Sequence, residues 1–332
     1  MKALFIGGTG IISTAVSKLA VEKGIDLFLL NRGLHQEFFP KGIALLQSDI
    51  NDIAKVKSLI ANQHFDVVVD WLAYTKKDIE RDIHLFANNT KQFVFISSAS
   101  VYKKPPDNYL ITELTPIGNP FWKYAQDKIA CEERLQKEFR QTGFPITIVR
   151  PSFTYGVTSI PAAVTSWRKP YTLIDRIRKG KKIIVHGDGT SLWVMTHNSD
   201  FAKGFIGLLG NKKAIGETFH ITSNEVLSWN QIFNTIGKVA GAEPDIVHIP
   251  TDFINSINPE IGAGLLGDKA HSVVFDNSKI KKIVPDYEAT VSFEEGVKTS
   301  LEWIEEHPEY CKIDEENNKI VDMILQKYEG NN

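Results

Sequence analysis

The chain has 332 residues and a formal net charge of −2 at pH 7, and 42% of its residues are hydrophobic while 23% are charged. This composition is typical of an ordinary globular protein. The near-neutral balance of charge argues against a general affinity for nucleic acid or for an anionic membrane surface.

Three further observations point to a cytoplasmic protein. No apolar run approaches the roughly 20 residues that a membrane span requires, so we expect no membrane association. The first predicted strand begins at residue 2, which leaves no room ahead of it for a signal or transit peptide. The two cysteines, Cys131 and Cys311, lie far apart in helical patterns and are typical of reduced thiols.

The first predicted element is a short buried β-strand over residues 3–6, followed at once by the turn Gly7-Gly8-Thr9-Gly10. From Ile12 onward, apolar residues recur at three- and four-residue spacings, which predicts a helix. A strand, a glycine turn and a helix N-terminus together can bind a pyrophosphate, because the backbone amides and the positive helix end meet its charge. An ordinary turn that needs glycine for its geometry has the same pattern, so both interpretations stay open here.

Further strands alternate with helices up to residue 151. This rhythm predicts an α/β fold with a doubly wound parallel sheet of the Rossmann type, whose ligand binds at the carboxyl ends of the strands. The later strands are predicted at residues 25–30, 43–46, 66–70, 93–96 and 145–149, and the longest helix at residues 121–140.

Beyond residue 152 prolines and glycines break the chain into shorter pieces, which predicts a smaller, interleaved C-terminal substrate domain. We assign residues 1–152 and about 190–223 to the dinucleotide-binding domain, and about 153–189 and 224–332 to the substrate-binding cap. The charged tail after a predicted helix at 293–305 is expected to fray.

A basic segment at residues 168–182 carries seven Lys or Arg residues. A solvated helix face accounts for such a cluster, and an anion-binding surface is the alternative. The nine histidines lack the spacing of a metal site, so we expect no metal.

Tyr124 and Lys128 lie four residues apart on the predicted long helix and therefore share one face. An ammonium beside a phenol lowers the pKa of the phenol, which suits it to proton transfer. The spacing alone also describes an incidental surface pair. Ser98 follows the strand at 93–96, where its hydroxyl can bind a substrate oxygen or merely cap the strand end.

Taken together, these motifs resemble the short-chain dehydrogenase/reductase superfamily, in its extended, atypical, NAD-dependent epimerase/dehydratase-like branch. The resemblance runs from residue 2 to about residue 305. The segments that carry it are Gly7-x-x-Gly10, Ser98-Ala99-Ser100-Val101-Tyr102, Tyr124-x-x-x-Lys128, Arg150-Pro151-x-x-x-Tyr155-Gly156, Thr196-His197-Asn198-Ser199-Asp200-Phe201-Ala202 and Gly296-Val297-x-x-Ser300-Leu301-x-Trp303.

The resemblance implies an NAD(P)-dependent oxidoreductase, epimerase or dehydratase that acts on an alcohol or carbonyl of a polar, sugar-like small molecule. Tyr124 would be the acid and base, Lys128 would hold the nicotinamide ribose, and Ser98 would orient the substrate. Reduction, epimerisation and dehydration all stay open, and a homodimer through the long helix is expected. The cofactor contacts that the resemblance implies are Gly7, Thr9, Gly10, Ile11, Ile12, Asn31, Arg32, Asp49, Ile50, Ala73, Tyr124, Lys128, Pro151 and Ser152.

The chain departs from the family pattern at three positions. Ser13 replaces the third glycine of the turn. Asn31 and Arg32 stand where NAD-preferring members carry an acid, and because Arg32 can bind a 2′-phosphate, the sequence favours NADP over NAD. A solvated turn residue is the alternative interpretation of Arg32.

Trp193 aligns with an Arg that grips the diphosphate in nucleotide-sugar enzymes, and an indole cannot neutralise that group. Either the basic segment replaces this contact or the substrate is of another kind. The rival hypothesis to an enzyme is a cofactor-binding regulatory or RNA-associated protein with little turnover. The intact set of Ser98, Tyr124 and Lys128 and the near-neutral charge favour the enzyme.

Overall fold

A computed structural model describes residues 1–330 of the chain. The strands in chain order are β1 (Lys2–Ile6), β2 (Asp26–Asn31), β3 (Ala44–Gln47), β4 (Val67–Asp70), β5 (Phe93–Ile96), β6 (Leu110–Ile111), β7 (Ile146–Pro151), β8 (Phe153–Tyr155), β9 (Ile183–His186), β10 (Leu192–Trp193), β11 (Met195–His197), β12 (Thr218–Ile221), β13 (Leu227–Ser228), β14 (Ile246–Ile249) and β15 (Val274–Phe275).

The α-helices in chain order are α1 (Ile11–Glu22), α2 (Ile53–Ile60), α3 (Lys76–Phe86), α4 (Lys123–Thr142), α5 (Tyr171–Arg178), α6 (Asn198–Ile206), α7 (Trp229–Ala240), α8 (Thr251–Ile257), α9 (Pro259–Gly264), α10 (Ser278–Ile283), α11 (Phe293–Glu306) and α12 (Glu315–Glu329). A π-helical turn, Leu265–Lys269, follows α9 directly. Among residues 1–330, no helix combines the length and the apolar character needed to cross a bilayer.

Seven strands form one parallel sheet in the order β12-β7-β5-β4-β1-β2-β3. From the neighbouring strands β1 and β4, the sheet extends on one side through β5 and β7 to β12, and on the other side through β2 to β3. In the β1–β4 pair, Ala3 lies opposite Val67 and Ile6 lies opposite Asp70. Successive parallel strands connected through helices require crossovers over the two faces of the sheet. The predicted fold class, a doubly wound parallel α/β sheet, is confirmed.

The central strands are buried on both faces because helices cover each side. On one face Val16 of α1 and Phe201 and Phe205 of α6 pack against the sheet. On the other face Val56 of α2 and Leu135 of α4 do so. This burial explains why the strands form nearly continuous apolar runs rather than alternating ones.

A separate hydrophobic core forms mainly from the segments after residue 152 and contains the indoles of Trp193 and Trp229, whose ring centroids are 5.6 Å apart and whose planes are tilted by 35°. Between these segments α6 and β12 return to the central sheet, where β12 pairs with β7. The two parts are interleaved because α6 and β12 pack with the sheet, while the segments before and after them pack in the second core. The domain boundaries drawn from the sequence stay a prediction.

The expectation of a frayed C-terminal tail is wrong, because residues 315–329 form helix α12. Asp314 caps its first turn by accepting a hydrogen bond from the amide of Asn317. Val321, Ile324 and Leu325 recur at helical spacing and are buried against the second core. The surrounding charged residues masked this apolar stripe in the sequence.

Candidate active site

The glycine turn between β1 and α1 forms the floor of a crevice at the carboxyl ends of the strands. Gly7 and Gly8 have φ angles of 101° and 93°, a region that side chains strain. A Cβ on Gly8 would lie 2.7 Å from Leu29 Cδ2, so the position also requires glycine for space. Ser13, which replaces the third glycine, is buried and accepts a hydrogen bond from the Gly10 amide at 2.8 Å. The turn therefore closes tightly against the sheet despite this departure.

The crevice has a volume of about 740 Å³ and extends from this turn to the start of α4. Nearly all the site residues predicted from the sequence line it. Ala73 does not line the crevice, because it is buried. Its carbonyl accepts a hydrogen bond from Lys128, which does line the crevice. The predicted residues that line the crevice are Gly7, Thr9, Gly10, Ile11, Ile12, Asn31, Arg32, Asp49, Ile50, Ser98, Tyr124, Lys128, Pro151 and Ser152.

The crevice fits a dinucleotide in size and in the chemistry of its donors. Its volume lies within the usual range for small-molecule sites, roughly 300–1,000 Å³. Gly10 caps the N-terminus of α1, where free backbone amides and the positive helix end can meet a pyrophosphate.

Asn31 and Arg32 at the end of β2 have different surroundings. The Asn31 amide donates to the Gly7 carbonyl at 3.1 Å and accepts from the Gly33 amide at 2.8 Å, so it ties β2 to the glycine turn. Arg32 is exposed at the rim of the crevice. Among the described residues, no carboxylate forms an ion pair with Arg32. Its guanidinium is therefore available to an anionic ligand.

Lys128 is held rigidly by two backbone carbonyls. Its Nζ donates to the carbonyls of Ala73 and Ile96, each at 2.7 Å, and the side chain is buried. Burial lowers the pKa of Lys128 to about 8. An ammonium has three N–H donors, so one remains for a ligand in the crevice.

Tyr124 lies one helical turn before Lys128 and is half-buried. Burial raises the pKa of Tyr124 to about 12, and hydrogen bonding by Ser98 acts in the opposite direction. The sequence predicts a lowered pKa for this phenol, and the structure gives the reverse. The Lys128 Nζ lies 5.9 Å from the Tyr124 ring centroid, and its effect does not offset desolvation. At neutral pH Tyr124 is therefore a protonated phenol that can donate to a substrate oxygen.

A buried network behind Ser98 supports the site and is not evident from sequence spacing. Glu132 of α4 accepts a hydrogen bond from the Ser97 hydroxyl at 2.5 Å and from Arg150 Nε at 2.9 Å. All three side chains are buried. The network therefore joins the ends of β5 and β7 to the helix that carries Tyr124 and Lys128.

A second buried cluster fixes the turn after β4. Asp70 accepts hydrogen bonds from the amides of Leu72 and Ala73, and Arg81 of α3 pairs with Asp70 at 3.2 Å and with Asp82 at 2.8 Å. Burial and the neighbouring Asp70 raise the pKa of Asp82. This cluster positions the Ala73 carbonyl that holds Lys128.

A second cavity, of about 210 Å³, opens beside Tyr124 on the side of the cap. Ser98, Tyr124, Pro151 and Ser152 line both this cavity and the dinucleotide crevice. Six further aromatic residues line the other walls, and they include Trp193, which is 1% exposed. A substrate in this cavity would meet a cofactor in the crevice at Ser98 and Tyr124.

Comparison with known proteins agrees with this geometry. A family model described as NAD dependent epimerase/dehydratase family matches residues 3–222. The chain is 28% identical over 272 residues to the chloroplast stem-loop binding protein of 41 kDa b from Arabidopsis thaliana, a match that covers 76% of this chain and 67% of that protein. It is 26% identical to UDP-N-acetyl-alpha-D-glucosaminuronate decarboxylase from Bacillus cytotoxicus, covering 92% and 98% of the two chains.

The fold is also found among solved structures. The dTDP-glucose 4,6-dehydratase from Bacillus anthracis, solved in complex with NAD, superposes with a TM-score of 0.74 at 18% identity. The alignment covers 94% of this chain and all of that one. At this identity the likeness concerns the fold alone.

Proposed function

We propose a hydride-transfer function for this chain, which belongs to the NAD dependent epimerase/dehydratase family and is an enzyme of the short-chain dehydrogenase/reductase type. Hydride passes between a nicotinamide cofactor and an alcohol or carbonyl carbon of a polar, sugar-like substrate. The observation that carries the proposal is the position of Ser98 and Tyr124, which line both the crevice and the adjoining cavity. Groups at this junction can act on a substrate oxygen while the neighbouring carbon reacts.

Each residue has a role that its surroundings support. When bound, the nicotinamide supplies the acceptor and the donor of hydride. Tyr124 donates its proton to the substrate oxygen in the reducing direction, because its phenol is protonated at neutral pH. Ser98 hydrogen-bonds the same oxygen, and the free N–H of Lys128 holds a ribose hydroxyl.

We extend the proposal to a preference for NADP within this NAD-dependent family. Support comes from Arg32, which is exposed at the rim of the crevice, and from Asn31, whose amide group is engaged with the glycine turn. A 2′-phosphate beside Arg32 would gain charge-assisted hydrogen bonds, and no acid stands at the end of β2 to repel it.

Epimerisation, dehydration and reduction share the same first requirement, a hydroxyl or carbonyl beside Tyr124. The printed name of the Bacillus cytotoxicus relative, a UDP-N-acetyl-alpha-D-glucosaminuronate decarboxylase, supports a sugar-like substrate for this chain. Trp193, buried in the cavity wall, supports a departure from the usual diphosphate contact. Dimerisation through α4 and a cytoplasmic location stay predictions from the sequence.

The rival hypothesis of an RNA-associated protein is suggested by the printed name of the Arabidopsis relative. It depends on a free basic surface, and four of the seven basic residues at 168–182 form ion pairs within the fold. Arg176 pairs with Asp322, Arg178 with Glu305, Lys179 with Asp175 and Lys182 with Glu329. The near-neutral net charge likewise offers little electrostatic affinity for a phosphate backbone.

Replacement of Tyr124 by Phe tests the proposed chemistry. We expect turnover to fall about 100-fold or more, because the variant lacks the proton donor. The dissociation constant for the cofactor should stay within about twofold, since Tyr124→Phe removes no charge from the crevice. Turnover would be followed by nicotinamide absorbance and by mass spectrometry of products from UDP-glucose, dTDP-glucose and UDP-N-acetylglucosaminuronate.

Tyr109→Phe is the matched control, because it removes the same hydroxyl from an exposed tyrosine that lines neither the crevice nor the cavity. This variant should retain the wild-type rate. Full activity in Tyr124→Phe would overturn the assignment of Tyr124 as proton donor.

A further inference from the structure

The substrate cavity contains three charged side chains in walls that are otherwise mostly apolar. They are Lys104, Asp268 and Lys269, and neither the glycine turn nor the Ser98, Tyr124 and Lys128 set predicts them. Lys104 is 4% exposed and Lys269 is 8% exposed. Buried charges of this kind need partners, because desolvation of an ammonium is costly.

One carboxylate stands between the two ammonium groups. Lys104 Nζ lies 3.6 Å from Asp268 Oδ1, and Lys269 Nζ lies 3.7 Å from Asp268 Oδ2. Both separations are longer than a good N–H···O hydrogen bond. Among residues 1–330, Asp268 is the carboxylate that pairs with the two Nζ atoms, and neither forms a hydrogen bond of good geometry. The cluster therefore carries one excess positive charge and several unused donors.

Aromatic rings hold Lys269 without using its donors. Its Nζ lies 5.3 Å from the Trp122 ring centroid, 5.7 Å from that of Phe153 and 5.8 Å from that of Trp167. The ring faces stabilise the ammonium form. Since these three residues also line the cavity, the positive charge is presented to whatever occupies it.

The backbone at Lys269 is fixed from the opposite side. Its carbonyl accepts hydrogen bonds from His186 Nε2 and from Trp229 Nε1, each at 3.0 Å. Lys269 ends the π-helical turn Leu265–Lys269, whose Gly267 carbonyl accepts from the Asn119 side chain. A charge held in this way is preorganised, which favours binding of a partner of opposite sign.

We propose that Lys104 and Lys269, on either side of Asp268, bind an anionic group of the substrate, a carboxylate or a phosphate, in the cavity shared with Tyr124. The proposal rests on the proposed function, because it assigns the cavity beside Tyr124 to the substrate. An anionic group neutralises the excess charge and accepts from the unused ammonium donors. This contact distinguishes the substrate from neutral sugars. The wall of the same cavity includes Trp193, at the position that aligns with the diphosphate-binding Arg of nucleotide-sugar enzymes.

Binding measurements on the cofactor-loaded protein test the proposal without requiring turnover. Calorimetric titration would compare UDP-glucuronic acid with UDP-glucose for a carboxylate, and glucose 6-phosphate with glucose for a phosphate. We expect at least one anionic probe to bind about tenfold more tightly than its counterpart. The pair that shows the larger ratio identifies which of the two anions the site takes.

Variants of the cluster should change that ratio in opposite directions. Lys104→Gln and Lys269→Gln should each weaken the anionic probe about tenfold and leave its counterpart within twofold. Asp268→Asn should tighten the anionic probe, because it adds one unit of net positive charge. Lys181→Gln, an exposed lysine of the basic segment, is the matched control and should change neither affinity.

Equal affinity for both members of each pair, or no detectable binding of either anionic probe, would overturn the proposal. A purely structural role of the cluster is recognised separately, because Asp268→Asn would then lower the melting temperature without tightening the anionic probe. The binding ratio is independent of the rate lost in Tyr124→Phe. Failure of this proposal therefore differs visibly from failure of the proposed chemistry.

Discussion

Arg32 is the residue on which the choice of cofactor depends. It lies on the exposed rim of the crevice, beside Asn31, whose amide holds the glycine turn. We predict that Arg32→Gln weakens NADPH binding about tenfold, because a charge-assisted contact to the 2′-phosphate is lost. NADH binding should be nearly unchanged. Fluorescence titration of the two reduced cofactors measures both constants.

Lys18→Gln is a suitable control for Arg32→Gln, since Lys18 is an exposed cation of α1 outside the crevice. It should leave both dissociation constants at their wild-type values. An equal change in both constants would overturn the contact between Arg32 and the 2′-phosphate, and no change in either would identify Arg32 as a solvated turn residue.

The residue types of the site could be predicted from the sequence, but their electrostatics could not. The spacing of Tyr124 and Lys128 correctly places both on α4, facing one crevice. The pKa of Tyr124 rises rather than falls, because burial depends on packing by distant segments. The side-chain amide of Asn31 likewise donates a hydrogen bond to the Gly7 carbonyl, a contact that forms only in the folded turn.

At the scale of elements, long periodic segments were predictable and short ones were not. The central strands and α4 have strong apolar patterns, and they occur close to the predicted positions. Two-residue strands such as β6 and β15 have no pattern of their own, because pairing with each other alone defines them. Helix α12 was missed since its apolar stripe lies among many charged residues.

The contact between the π-helical turn and α4 is an element-scale feature with a testable consequence. A Cβ on Gly267 would lie 2.6 Å from Trp122 Cβ and 3.1 Å from Asn119 Oδ1. Trp122 Cβ cannot move without the start of α4. We predict that Gly267→Ala lowers the free energy of unfolding by about 1–3 kcal/mol, as overpacking does elsewhere. Urea unfolding at neutral pH measures this loss.

Gly264→Ala provides a comparison only three residues away. Its added Cβ would meet only Trp122 Cζ2 at 4.0 Å, and Gly264 already has a helical φ of −69°. This variant should be neutral or more stable by up to about 1 kcal/mol, because alanine favours the helix. Equal effects at the two positions would show that the close packing of Gly267 carries no particular stability.

At the scale of the whole molecule, the site lies where two separately packed parts meet. Ser98 and Tyr124 come from the sheet side, while Asp268 and Lys269 come from the cap side of the same cavity. The sequence could predict Ser98 and Tyr124, because Ser98 follows a predicted strand and Tyr124 lies on a predicted helix. Lys104 and Lys269 are far apart in sequence and share no motif, so only the tertiary fold could bring them together.

Acid sensitivity is a second consequence of how the cap is packed. His186 is 1% exposed, and burial lowers its pKa to about 4 from a usual value of 6.5. Its Nε2 donates to the Lys269 carbonyl, a contact that favours the charged ring, but burial outweighs this contact and the fold holds the neutral form. Between pH 6.5 and 4 the unfolded chain takes up the proton and the folded chain does not. Stability therefore falls as the pH falls through this window.

We predict that His186→Gln reduces the loss of stability between pH 7.5 and pH 5 by about 2 kcal/mol, compared with the wild type. Glutamine keeps an N–H for the Lys269 carbonyl and does not titrate. Urea unfolding at the two pH values measures the difference for each protein. His64→Gln, which changes an exposed histidine, should reproduce the wild-type loss. An equal loss in His186→Gln would mean that the acid sensitivity of the fold arises from other groups.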